Sequence, residues 1–346
     1  MQHEILSSQK LLDEKGNIKE AGFAKKLLWQ YSRNDIKAPK IRIKEWDYYY
    51  IGNQEYGLCL TISDAGFVSC LSISYLEFGE NPVQMNDSEI GLLPLGKLNM
   101  PSTSEVGNSC AKVGTADMRF ENDGNIRRLY GKYDNFCNSK KTLTFDVTLT
   151  DAPEESMVIA TPFDKDKHFY YNQKINCMKA DGYFEYNGKR YDFNSSEGAL
   201  ATLDWGRGVW TYDKTWYWGS GQMMLDDGNL FGFNIGYGFG NTSAASENML
   251  FYNGKSHKIE DVTFNIPKEN GEYAYTKPWT FTSSDGRFEM TFTPVIDRQA
   301  PFDLKLICML PHQVFGRISG TAVLDDGTKI EVKDKMVFAE HVHNKW

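Results

Sequence analysis

The chain has 346 residues, a formal net charge of −8, and 14% aromatic residues. That length allows two domains and a large core. No block of about five or six basic residues occurs, which argues against a nucleic-acid partner. No apolar run of about 18 residues occurs, which argues against a transmembrane helix.

Residues 1–40 read as a strap that packs on something larger. The N-terminus, MQHEILSSQK, lacks a basic start followed by an apolar run, so a cytoplasmic protein is expected. Residues 24–31 are expected to form a short helix with Leu27, Leu28 and Tyr31 as its apolar side.

From Ile41 the pattern changes to short strands. Segments 46–51, 56–63 and 67–78 are β-prone and separated by turn residues. Segment 141–150 alternates, with Leu143, Phe145, Val147 and Leu149 on one face, and 287–293 does the same with Phe288, Met290 and Phe292. Such period-two patterns mark half-buried antiparallel strands. Asn187-Gly188, Asp227-Gly228, Asn253-Gly254 and Asp285-Gly286 are hairpin signals, since both central residues of a type I′ turn need positive φ.

The two halves echo each other in order. The aromatic run and turn of 46–57 resemble 216–228, and the hairpin before Leu203 resembles that before Glu340. The expected fold is all-β: two consecutive antiparallel β-barrels, 41–205 and 206–346, after the 1–40 strap. Cys59, Cys70, Cys110, Cys137, Cys177 and Cys308 are scattered with no C-x-x-C, and are expected to be free thiols.

The segment 203–222 holds Trp205, Trp210, Trp216 and Trp218, half of the chain's eight tryptophans, together with Asp204 and Arg207. Trp216, Trp218 and Gln222 share one face of a strand. In the following strand Gly232, Asn234 and Gly236 share a face. A glycine face leaves room, filled either by the neighbouring tryptophans or by a ligand. Asp204 beside tryptophan is a candidate acid if burial raises its pKa, while Arg207 as its partner would oppose that shift. At the C-terminus His341 and His343 share a strand face, with Glu340 as an orienter. They are candidates for acid–base work, and no third ligand for a metal is evident.

LDWGRGVW, the W-Y-W strand, FNIGYG, Glu247-Asn248, HQVFGRISG and AEHVHNKW together resemble the bacterial domain-of-unknown-function family 2804. That family is distantly similar to AttH-like proteins, carotenoid 1,2-hydratases and fungal Diels–Alderases. The resemblance implies two lipocalin-like barrels and an apolar ligand. The hydratase relatives carry an Asp-His motif at the end of the first half. Here Asp204-Trp205-Gly206 keeps the Asp and the Gly, and no His follows Asp204.

The expected function is binding of a small hydrophobic or polycyclic molecule in a barrel pocket, with proton-transfer chemistry of hydratase, isomerase or lyase type and no cofactor. Asp204, His341 and His343 are the candidate catalytic residues. Trp205, Arg207, Trp216, Trp218, Gln222, Asn234 and Glu340 are the candidate binding residues. The alternatives are a non-catalytic carrier of a hydrophobic metabolite and a carbohydrate-binding protein.

Overall fold

The computed structural model describes residues 2–303 and 308–345. Residues 304–307 and Trp346 of the AEHVHNKW motif lie outside the described residues. Among those described there is no α-helix.

Ten strands build the first barrel: β1 (Ile43–Gly52), β2 (Tyr56–Asp64), β3 (Val68–Glu77), β4 (Val83–Leu92), β5 (Ser109–Val113), β6 (Ala116–Asn122), β7 (Arg127–Tyr133), β8 (Leu143–Thr150), β9 (Phe169–Tyr186) and β10 (Leu200–Val209). They pair antiparallel in the order β4-β3-β2-β1-β10-β9-β8-β7-β6-β5 and close nearly into a circle. Nine more form a curled half-barrel: β11 (Asp213–Met224), β12 (Leu230–Tyr237), β13 (Met249–Tyr252), β14 (Lys255–Lys258), β15 (Val262–Asn265), β16 (Trp279–Ser283), β17 (Phe288–Arg298), β18 (Cys308–Val323) and β19 (Lys329–Lys345). Their order is β14-β13-β12-β11-β19-β18-β17-β16-β15. This is a double-lipocalin architecture.

Local sequence explains the pairing. In β8 the four apolar residues Leu143, Phe145, Val147 and Leu149 are buried and their polar neighbours are not. Asn187 and Gly188 both take positive φ (54° and 75°) and connect β9 to the short strand Lys189–Phe193; Asn253 and Gly254 do the same (47° and 83°) between β13 and β14.

Segment 24–31 is not helical. Gly22–Ala24 pairs with Met157–Pro162, and Trp29–Gln30 pairs with Gln9–Lys10. A helix this short has little stability of its own. Docking wins instead: the Trp29 indole donates to Glu20 O and lies edge-on to Tyr171. The strap also reaches the second half, where Gln2 donates to Ile259 O and His3 N donates to Ala244 O.

Each barrel has its own apolar filling. In β1 Ile43, Tyr49 and Ile51 face inward and join Leu203, Trp205 and Val209 of β10. Phe231, Phe233 and Ile235 of β12 join Val337 and Ala339 of β19. The opposite faces of these central strands are also buried, because the barrels pack outer wall to outer wall. Tyr48 and Tyr50 of β1 meet Trp218, Phe315 and Phe338 there.

All six cysteines are free. Thiol counting in denaturant without reductant is expected to find six. Cys177, its thiol pushed up to about 12 by burial, should be silent in the folded protein; rapid modification of Cys177 without denaturant would contradict the packing between the barrels.

Candidate functional site

A cavity of about 310 Å³ lies in the seam between the barrels, at the lower end of the ~300–1,000 Å³ usual for ligand sites. It is not inside either barrel, because both interiors are filled with side chains. This corrects the expected barrel pocket. The cavity exists because strand alternation points one face of β1, β9 and β10 at one face of β11 and β19. Trp46, Tyr48, Tyr170, Trp210, Trp216, Trp218 and Phe239 form its aromatic lining. Trp46 stacks on Tyr170 with ring planes 10° apart, Trp210 stands edge-on to Trp46, and Phe239 meets Trp210 and Trp216 at 4.9 and 5.2 Å. Gly206 is part of this design: a Cβ there would run into the Trp46 ring.

Charged side chains enter this apolar space from both barrels. Lys174 of β9 donates to Asp204 of β10 at 2.8 Å, and its ammonium sits 3.8 Å from the centre of the Trp218 ring. Asn172 donates to the other Asp204 oxygen at 2.6 Å. On the facing wall Glu340 accepts from the Trp216 indole at 2.9 Å and from Gln313 at 3.2 Å. Glu247 accepts from Asn234.

The electrostatics follow from burial. Burial pushes the Glu340 carboxyl up to about 7, against the Trp216 hydrogen bond and the Lys174 charge, with the Asp204 charge adding to the rise. Glu247 is also raised, chiefly by burial. Lys44, over the Phe67 and Trp210 rings, is lowered to about 7 by burial and the nearby Arg42 charge. Five acidic side chains, Glu45, Asp64, Asp204, Glu247 and Glu340, line this cavity with Lys44 and Lys174, and with Glu340 raised to about 7 a neutral carboxylic acid persists near neutral pH.

The residues expected from sequence separate into groups. Asp204, Trp216, Trp218 and Glu340 line the cavity. Asn234 stands behind it and accepts from the Trp218 indole at 2.7 Å. Gln222 lies deeper in the seam, where its carbonyl accepts from the Thr202 hydroxyl and from Cys177 N. Trp205 and Arg207 face the opposite way, into the first barrel. They are two residues of odd register on β10, while Asp204 is even, so the expected Asp204–Arg207 pair does not form. Arg207 instead binds Asp47 at 3.0 Å.

His341 is likewise on the wrong face. It points into the second barrel, stacks on Tyr217, meets the Tyr275 hydroxyl at 2.6 Å, and is lowered to about 4 by burial and the neighbouring histidines. His343 meets the Thr215 hydroxyl at 2.9 Å. Neither lines the cavity.

The glycine face is not an open trough. A Cβ on Gly236 would come within 2.7 Å of the Glu247 carboxylate and 2.8 Å of Tyr217 O; one on Gly232 would come within 2.7 Å of Cys177 Sγ. The glycines admit Glu247 and the first barrel. Gly236→Val is therefore expected to destabilise the protein by about 1–3 kcal/mol through overpacking, read as a lower denaturation midpoint. An unchanged midpoint would show that Glu247 does not occupy this place.

The sequence reading missed Lys174, Glu247, Arg298, Gln313, Trp46, Tyr170 and Phe239. Segment 169–176 carried a signal, since Tyr170, Asn172, Lys174 and Asn176 share one face opposite Phe169, Tyr171 and Ile175. A polar face that is buried marks a strand with structure on both sides.

Fold and cavity together define a double-lipocalin protein with an aromatic, acid-bearing cleft between its barrels. The chain belongs to the family described as Domain of unknown function (DUF2804), whose profile matches residues 2–346. Among solved structures it is similar to kievitone hydratase from Nectria haematococca, with TM-score 0.54 and 12% identity over 98% of each chain. It is also similar to a Nitrosomonas europaea protein designated AttH, with TM-score 0.52 and 13% identity over 90% of this chain and 93% of that one. These likenesses are of fold. Among curated proteins nothing matches.

Proposed function

We propose that the protein binds a small hydrophobic molecule in the cleft between the barrels and transfers a proton to it, with Glu340 as the general acid. The observation that carries this is a carboxyl, largely withdrawn from solvent and raised to about 7, that lines a cavity walled by four tryptophans. A carboxyl with its pKa near the operating pH is suited to deliver a proton.

Asp204 is the less suitable donor, because both its oxygens already accept hydrogen bonds from Lys174 and Asn172. Its place is electrostatic. Protonation of a carbon–carbon double bond by Glu340 would develop positive charge on the ligand, and the Trp216 and Trp218 faces, with Asp204 behind them, would stabilise it. Water then adds to the cation and returns a proton to the Glu340 carboxylate, completing a hydration; loss of a neighbouring proton to the same carboxylate would complete an isomerisation instead. The fold is one that a hydratase also uses, which supports the reading without carrying it. The same cleft without turnover is a carrier.

The test begins with native mass spectrometry of the purified protein to find a co-purified small molecule. That molecule is then incubated with protein in deuterium oxide. Deuterium uptake at carbon, lost in Glu340→Gln, is expected. A bound molecule that takes up none in the wild type would leave the carrier reading and remove the enzyme.

A further inference from the structure

We propose that the ligand of this cleft is amphipathic, with an apolar body against the tryptophans and a single carboxylate head bound by Arg298. The inference rests on the cleft being the binding site and names the chemical class it takes.

Arg298 ends β17 and lines the cavity. Its Nε donates to Ser74 Oγ at 3.0 Å, and its Nη1 donates to Gln313 Oε1. Both partners are neutral. Among the described residues no carboxylate lies within ion-pair distance of it, and its Nη2 has no hydrogen-bond partner. A guanidinium held by neutral side chains, with one edge left open, is set for a planar anion.

The other lining charges are already matched. Lys174 is paired with Asp204. Glu45 is paired with Arg33 and receives the Tyr31 hydroxyl, and Asp64 accepts from Gly66 N and Gly96 N. Burial raises both the Glu247 and Glu340 carboxyls, and each already accepts hydrogen bonds: Glu247 from Asn234, Glu340 from Trp216 and Gln313. Lys44 sits over the Phe67 and Trp210 rings and is lowered to about 7, which leaves Arg298 as the lining cation held by neutral partners with an open edge. One such charge in a cavity lined by five acidic side chains suits a monoanion and disfavours a doubly charged phosphate.

The position also orients the ligand. Gln313 accepts from Arg298 and donates to Glu340, so one amide separates the head-group site from the acid. A carboxylate anchored at Arg298 would place the adjoining carbons toward Glu340, with the rest of the body among Trp46, Trp210, Trp216 and Trp218. Ser72, two residues from Ser74 on β3, and its cross-strand partners Thr61 and Ser88 also line the cavity with hydroxyls.

The probes are two pairs that differ only in the head: decanoic acid with decanol, and 2-naphthoic acid with 2-naphthylmethanol. Binding is measured by calorimetry at pH 7.5, on the wild type, Arg298→Gln and Arg298→Lys. In at least one pair the acid is expected to bind about tenfold or more tighter than the alcohol, the effect of one charge-assisted hydrogen bond. Arg298→Gln should remove that preference and leave alcohol binding within about twofold. Arg298→Lys should restore part of it.

Equal binding of acid and alcohol by the wild type overturns the head-group assignment and leaves the cleft reading standing. A preference that survives in Arg298→Gln overturns the role of Arg298. Tighter binding of decyl phosphate than of decanoic acid overturns the choice of carboxylate. Binding of no probe by the wild type overturns the cleft reading itself, and this inference with it. The wild-type comparison requires no variant, so a folding defect at position 298 leaves the test decisive.

Discussion

Glu340→Gln should melt higher than the wild type at pH 8 and match it at pH 4. The reason is proton linkage. Below about pH 4.5 this carboxyl is protonated in both the folded and the unfolded chain, so it contributes no pH dependence. As pH rises, the unfolded chain releases the proton at its ordinary value near 4.5, while burial makes the folded chain keep it up to about 7. Over that window the folded state binds more protons than the unfolded state, so stability falls with rising pH. The loss is complete above about 7 and amounts to about 3 kcal/mol. Glutamine keeps the shape of the neutral acid and does not ionise, so it lacks this loss.

The same substitution reports on chemistry. General acids contribute about 10²–10⁴-fold to rate, and Glu340→Gln should remove that much turnover. In the wild type the rate of a step that needs protonated Glu340 should be level below its pKa and fall about tenfold per pH unit above it. A variant that is both more stable and inactive would set Glu340 apart from a residue that merely holds the fold. Parallel stability profiles for wild type and variant between pH 4.5 and 8 would show that Glu340 is not the raised acid.

Much of the fold was legible because one-sided burial leaves a period-two pattern. Leu143, Phe145, Val147 and Leu149 announced β8, and the Asn-Gly pairs at 187–188 and 253–254 announced their turns. The site was less legible because it lies where strands are buried on both faces. On β10, Trp205 and Arg207 are as chemically suggestive as Asp204, yet they point away from the cavity. Sequence shows that Asp204 and Arg207 are on opposite faces, but not which face meets the other barrel. The same ambiguity made His341 and His343 the acid–base candidates and Glu340 only their orienter, since β19 offers histidines on one face and a glutamate on the other. The Glu247 contribution could not be read locally, because its place is made by Gly236 on another strand. Arg298 has Asp297 beside it in sequence, but on a strand adjacent residues face opposite ways, and Asp297 pairs with His312 instead.

Arg207→Met should be the most damaging single change to stability, although it leaves the cleft lining untouched. Arg207 is fully buried inside the first barrel. Its Nη1 donates to Asp47 at 3.0 Å and to the carbonyls of Trp46 and Gly206, while its Nη2 donates to Pro101 O at 2.8 Å. The guanidinium lies 4.2 Å from the Trp205 ring centre and 3.9 Å from the Glu45 carboxylate. Methionine would fill much of the volume but supply none of the donors. Asp47 would keep only the Ser109 hydroxyl, and the carbonyl of Pro101 would lose its side-chain donor. Removing one partner of a buried pair costs about 3–5 kcal/mol, because the surviving charge is left without compensation. Asp47→Asn in the same chain removes that charge, so the double variant should recover part of the loss, and the cycle measures the coupling. Urea denaturation of the four proteins gives the numbers. If Arg207→Met costs less than about 1 kcal/mol, the buried ion pair is not what holds this end of the barrel, and the strap contacts of Tyr31 and Arg33 to Glu45 become the stronger candidate.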